Sequence, residues 1–99
     1  MTTLALGIDI GTTGVRIVAT ERDNTIIAMT QALIAAPMLD FGRSLQDPRI
    51  WWDAVEIALA EICSKIDRSR VKAIAVDGTS GTILPVDSDG MTLGIVVIH

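Results

Sequence analysis

Cysteine appears once in the 99 residues, at Cys63, so no internal disulfide can brace the chain. Basic residues are also few: eight Lys and Arg stand against twelve Asp and Glu, a formal net charge of −4 at pH 7. A nucleic acid or an anionic membrane surface calls for a basic face, so neither is an expected partner, while small-molecule partners stay open. Long apolar runs are missing too. The stretch from Ile26 to Leu39 is interrupted by Thr30, Gln31 and Pro37 and falls short of the ~20 residues a membrane span needs. The N-terminus, Met1-Thr2-Thr3, lacks the positive charge that precedes the apolar core of a signal peptide, which makes a cytoplasmic location the expectation. No internal repeat or low-complexity segment occurs. What the chain has in quantity is apolar residues, 49% of the total, which excludes a disordered segment. At this length they suffice for one small core in one domain, residues 1–99.

The stretch Gly7-Ile8-Asp9-Ile10-Gly11-Thr12-Thr13-Gly14 puts one carboxylate and two hydroxyls at a glycine-flanked turn between two apolar runs. Before it, Leu4, Leu6, Ile8 and Ile10 alternate with Ala5, Gly7 and Asp9, the pattern of a strand with one bulky and one small face, and Asp9 falls on the small face. After it, Val15, Ile17 and Ala19 alternate with Arg16, Val18 and Thr20. Strand, tight turn, strand is the reading, with Gly11 and Gly14 expected to supply unusual backbone angles. The N–H groups of such a turn can converge on an anion, and a neighbouring carboxylate can hold the accompanying magnesium through its water shell. An ordinary hairpin whose Asp and Thr bond their own backbone is the competing account. Neither common glycine motif fits, because the spacing lacks the G-x-G of a dinucleotide fingerprint and no Lys follows the glycines.

Further along, Asp23-Asn24 suits a hairpin turn and Thr25 to Ile34 a third antiparallel strand. Ala35 to Gln46 has no clean period and reads as a loop. Asp47-Pro48 then has the form of a helix N-cap followed by proline at the first helical position. Trp51, Trp52, Val55, Ala58, Leu59, Ile62, Cys63 and Ile66 share one face of the amphipathic helix expected from about Asp47 to Asp67, so core packing is expected of both tryptophans and of Cys63. Ile50 and Ile57 fall on the opposite side. Val71 to Asp77 alternates again and, after so long a helix, is expected to join the sheet parallel to the first strand, bringing Asp77 to the same end as Asp9. Gly78-Thr79-Ser80-Gly81 follows as a candidate site-bearing turn, since ligands of α/β sheets bind beyond the carboxyl ends of strands, with an ordinary polar turn as the competing account. Thr82 to Val86 and Thr92 to Ile98 read as a hairpin about Asp87-Ser88-Asp89-Gly90, and Asp87 and Asp89 as turn residues rather than metal ligands.

Three segments in order carry a resemblance. Gly7 to Gly14 resembles the first phosphate motif of the FGGY-type carbohydrate kinases, Gln46-Asp47-Pro48 with Trp51-Trp52 is similar to a segment of their xylulokinase-like branch, and Ala75 to Thr82 followed by Asp87 is similar to their sugar-facing segment and hairpin. The resemblance implies an α/β, ribonuclease-H-like core of the actin and hexokinase-like superfamily. Its mixed sheet would have three antiparallel strands, a crossover helix, a parallel fourth strand and a hairpin. It also implies transfer of phosphate from ATP, with Mg2+, to a sugar or polyol. By matching position Asp9 would bind the metal, and Gly11, Thr12 and Thr13 would hold the phosphates. Arg16 stands where a basic residue near the phosphates is common, a solvated salt bridge being the equal alternative. Asp77, Thr79, Ser80 and Gly81 would face the sugar. The Arg-Glu pair of glycerol kinases and the Met-His pair of xylulokinases are both absent from this segment, and a ribulokinase-like ketopentose is the expected substrate class. No catalytic base is expected within these residues. The chain is expected to be part of an N-terminal lobe, inactive alone and prone to self-association through an unpaired strand edge and the apolar Leu93 to Ile98. Alternatives are an actin-like or heat-shock-chaperone-like ATPase of the same superfamily, or a non-catalytic remnant of the fold.

Overall fold

Alternating burial follows the alternating sequence. In the computed structural model, which describes residues 2–79, 84–94 and 96–98, β1 (Leu4–Ile10) buries Leu4, Leu6 and Ile8, and β2 (Gly14–Thr20) buries Val15, Ile17 and Ala19. β3 (Ile26–Leu33) completes an antiparallel meander, entered through Asn24 at φ 70°, a left-handed conformation that asparagine tolerates. α1 (Pro48–Lys65) crosses back, and β6 (Val71–Gly78) pairs parallel with β1, so the main sheet has the order β3-β2-β1-β6. The expected core, with its parallel fourth strand, is therefore present.

The helix begins as its sequence dictates. Asp47 is the N-cap and accepts the Arg49 N–H at 3.0 Å, and Pro48 follows inside the first turn. Ala54, Val55, Ala58 and Ile62 form the buried stripe against β2 and β3, where Thr30 Oγ1 donates to the Ala58 carbonyl at 3.1 Å. Two expectations about the helix fail. Trp52 is 62% exposed and is no part of the core. Ile50, off the stripe, is partly buried against it, because the first turn of α1 is flanked by the segment around Leu84 to Thr92 and apolar neighbours lie on both sides there. Ile57 is exposed as its position dictates.

The stretch from Ala35 to Gln46 is not a loop. It contains β4 (Met38–Asp40) and β5 (Arg43–Gln46), joined by a two-residue turn with Phe41 at φ 49° and Gly42 at φ 77°. Strands of three and four residues carry too few alternations to show a period. β7 (Val96–Ile98) pairs antiparallel with β5 to make a second sheet, so the apolar end of the chain has a partner within the sequence, contrary to expectation. Of the expected final hairpin the described residues show the turn and the pairings next to it: the Asp87 N–H donates to the Met91 carbonyl at 2.9 Å, the Leu93 N–H donates to the Pro85 carbonyl at 3.2 Å, Gly90 lies at φ 80°, and a bridge joins Val86 to Thr92. Thr82 and Ile83 of its first strand lie outside the described residues. Among the described residues no helix is long and apolar enough to cross a membrane.

Candidate functional site

The turn joining β1 to β2 closes with a 2.9 Å hydrogen bond from the Gly11 N–H to the Gly14 carbonyl. Two more of its carbonyls are also taken. Thr13 O accepts from the Ile34 N–H at 3.0 Å, and Thr12 O accepts from Gln46 Nε2 at 2.8 Å. Among the described residues the N–H groups of Thr12 and Thr13 meet no backbone or side-chain acceptor. The turn thus leaves the Thr12 and Thr13 donors free and occupies three of its four carbonyls, a polarity suited to an anion.

The glycines achieve this by close approach rather than by unusual angles. Neither Gly11 nor Gly14 has a positive φ, which corrects the expectation. A Cβ on Gly14 would stand 3.0 Å from the Ala32 carbonyl of β3, and one on Gly11 would stand 3.3 Å from the Gly14 carbonyl that closes the turn. The requirement is for space between backbones.

Pairing sets the charged side chains. Asp9 is opposite Arg16 across the antiparallel pair and beside Asp77 across the parallel pair, while Arg16 is opposite Gln31. The row Gln31, Arg16, Asp9, Asp77 therefore crosses all four strands on the face away from α1, and all four residues are exposed. Arg16 makes no ion pair among the described residues, so the salt-bridge alternative gains no support. Two carboxylates on neighbouring strands beside outward-facing amides fit Mg2+, which takes one or two carboxylates and completes its shell with waters and phosphate oxygens.

At the carboxyl ends of β1 and β6 a second concavity of about 240 Å³ is lined by Gly11, Thr12, Trp51, Asp77, Gly78 and Thr79, among others. The Thr79 N–H donates to the Ile10 carbonyl at 3.2 Å and ties the two strand ends together. Asp77 accepts the Gly78 N–H at 2.8 Å and borders both this pocket and the shallow one that contains Asp9 and Arg16. Of the expected site residues, Gly11, Thr12, Asp77 and Thr79 share the pocket, Asp9 and Arg16 lie on the adjoining sheet face, and Thr13 is exposed in the turn. Ser80 and Gly81 lie outside the described residues.

A residue not singled out for the site belongs to its wall, backed by a buried one. Trp51 lines the pocket, and its indole Nε1 donates to Gln46 Oε1 at 2.8 Å. Core packing alone does not describe it. The signal in the sequence was a glutamine directly before the helix cap and five residues ahead of a tryptophan.

The sequence profile of the FGGY family of carbohydrate kinases, N-terminal domain, matches residues 4–99. A xylulose kinase of Staphylococcus epidermidis is 28% identical over 92 residues, covering 91% of this chain and 18% of its own length. A glycerol kinase of Aquifex aeolicus is 24% identical over 86 residues, covering 87% of this chain and 18% of its own length. Among solved structures, that of a xyloylose kinase from Brucella ovis superposes with a TM-score of 0.87 at 21% identity, over 96% of this chain and 20% of that one. The chain spans about a fifth of the length of each relative. With nearly every residue inside the matched profile, the chain belongs to the FGGY family of carbohydrate kinases, in the N-terminal domain of that family.

Proposed function

We propose that this chain supplies the phosphate-holding turn and part of the sugar pocket of an ATP-dependent sugar kinase, with residues 1–99 forming part of its N-terminal lobe. One observation carries the reading: the turn at Gly11 to Gly14 has the Thr12, Thr13 and Gly14 carbonyls bonded within the protein and, among the described residues, the N–H groups of Thr12 and Thr13 unpaired, next to Asp9. Those amides and the two threonine hydroxyls would hold the terminal phosphates of ATP. Arg16, the cross-strand partner of Asp9, would balance their charge. Asp9 would hold Mg2+, with Asp77 near enough in register to share its water shell. Bound there, the metal neutralises phosphate charge during transfer.

On the other side of the same strand end, Asp77 and Thr79 would hydrogen-bond the hydroxyls of the acceptor, with Ser80 and Gly81 proposed to join them. Trp51 would give the sugar an apolar wall. Phosphoryl transfer depends mainly on positioning and charge neutralisation, and this arrangement provides both for the donor end. A ketopentose such as ribulose or xylulose is the proposed acceptor. The xylulose kinase relative supports a pentose, and the small hydroxylated residues after Asp77 favour a polyhydroxylated ligand. The family match weighs against the actin-like and chaperone-like alternatives.

Titration of the chain with ATP, with and without Mg2+, while the amide resonances of residues 9 to 16 are followed, tests the reading. Magnesium-dependent shifts centred on Thr12 and Thr13 are expected. Their absence would leave the turn a plain hairpin and favour a non-catalytic remnant. A coupled ATPase assay with ribulose, xylulose and glycerol should stay at background for the chain alone, because no adenine site or second lobe is part of the proposed arrangement.

A further inference from the structure

Gln46 is 2% exposed, and its side-chain amide joins three segments distant in sequence. Nε2 donates to the Thr12 carbonyl in the turn at 2.8 Å and to the Ala35 carbonyl after β3 at 3.2 Å, while Oε1 accepts from Trp51 Nε1 in α1 at 2.8 Å. The orientation of the amide follows from chemistry, since the two carbonyls only accept and an indole N–H only donates. The backbone bearing it is also fixed: Gln46 pairs with Val96 on one side and runs directly into the helix cap Asp47 and buried Pro48 on the other.

A trans peptide is planar, with its C=O and the following N–H antiparallel. Holding the Thr12 carbonyl on Gln46 therefore turns the Thr13 N–H to the opposite side, away from the core. The Ile34 N–H fixes the next peptide through the Thr13 carbonyl. Without Gln46, nothing among the described residues would hold the Thr12–Thr13 peptide in that orientation, and water could accommodate its carbonyl in either one.

We propose that Gln46 is a positioning residue for the phosphate turn, setting the Thr13 N–H toward the anion and coupling the turn to Trp51 at the wall of the neighbouring pocket. This rests on the reading of the turn as a phosphate site and adds how that site is set and what senses it. Because Trp51 and Thr12 line one pocket and are bonded to one amide, a ligand on either side biases the position of the other, and the effect is reciprocal.

The test uses the 99-residue chain with ATP and Mg2+ as the probe, following backbone amides and the two indole N–H resonances. In the wild type, the Thr13 amide and the Trp51 indole should shift with one midpoint, and the exposed Trp52 indole should not move. Gln46→Met keeps the volume and removes all three hydrogen bonds. Its affinity should fall about tenfold, as loss of a ligand-orienting hydrogen bond implies, and its Trp51 indole should no longer respond. Gln46→Glu, read at a pH high enough to ionise the carboxyl, keeps the acceptor for Trp51 and loses the donors to the turn. It should weaken binding similarly while the Trp51 resonance stays near its wild-type position, and it decides the matter if the Met variant does not fold. Wild-type affinity and an unchanged Thr13 shift in either folded variant would overturn the role of Gln46 and leave the phosphate site standing. Absence of any shift in the wild type would overturn both.

Discussion

Asp9 and Asp77 are register partners on the adjacent parallel strands β1 and β6, both exposed on the face away from α1. Like charges side by side in a sheet oppose folding by up to about 1 kcal/mol, and no cation of the protein pairs with either among the described residues. Arg16, opposite Asp9 on β2, offsets part of that cost, and a divalent cation would relieve the rest.

Neutralising Asp9 should therefore change the stability of the free chain little while removing its response to metal, because the repulsion of Asp77 and the attraction of Arg16 are lost together. In urea denaturation, Asp9→Asn is expected to stay within about 0.5 kcal/mol of the wild type without Mg2+. Millimolar Mg2+ should raise the midpoint of the wild type and leave that of Asp9→Asn unchanged. Equal responses would separate Asp9 from the metal.

The two turn glycines should differ in stability. Gly14→Ala drives a Cβ against a backbone carbonyl of β3 at 3.0 Å, where neither partner is a flexible side chain, and should cost about 1–3 kcal/mol. Gly11→Ala meets the Gly14 carbonyl at 3.3 Å and should cost less, with its effect concentrated on the turn closure. Thermal denaturation of both variants checks the order, and equal midpoints would contradict it.

The main sheet was legible because its strands are seven or eight residues long, enough for Leu4, Leu6 and Ile8 or Val15, Ile17 and Ala19 to declare a face. The second sheet was not. Its strands have three or four residues, and its turn places Phe41 in a left-handed conformation that no turn-forming residue type advertises. Asp9, Gly11 and Thr12 could be found in one local stretch. Gln46 could be quoted as part of a motif but its function could not be read, because its partners at Thr12 and Ala35 are 34 and 11 residues away and only tertiary structure joins them. The exposure of Trp52 has the same origin: its place on the helix was right, but which neighbours cover that place is a matter of packing.

Acid should weaken the chain through its cap and turn carboxylates. Asp47 lies below its ordinary carboxylate value, first because the Arg49 side chain bonds it and then because the Arg49 N–H does. Asp67 is lowered by the Ser69 side chain and N–H, and Asp23 by Thr25 in the same way. A carboxyl lowered on folding contributes stability that is complete above its unfolded value, about 3.9, and lost as the pH falls through the lower folded value. Melting temperature should accordingly hold steady near neutrality and drop below about pH 4. Asp47→Asn, which still caps but does not titrate, should have a shallower acid limb, and an identical limb would remove Asp47 from the effect.

Self-association should run through β6. This strand is at the edge of the main sheet, and α1 lies over β2 and β3, leaving Ile74 59% and Val76 63% exposed on the bulky face. The sequence pointed to an unpaired strand edge, without saying which, and to the apolar Leu93 to Ile98, but β7 in that stretch is paired with β5. An edge strand with uncovered apolar side chains templates pairing with another copy, and lysine on such an edge suppresses it. Sedimentation of the purified chain should show association that grows with concentration. Ile74→Lys, at a site outside the pocket beside Trp51, should return the chain to a monomer at a folding cost within about 0.5 kcal/mol, as expected of an exposed position. Ile57→Lys, on the outward face of α1, should not. A monomeric wild type, or association indifferent to Ile74→Lys, would show that the β6 edge attracts no second copy.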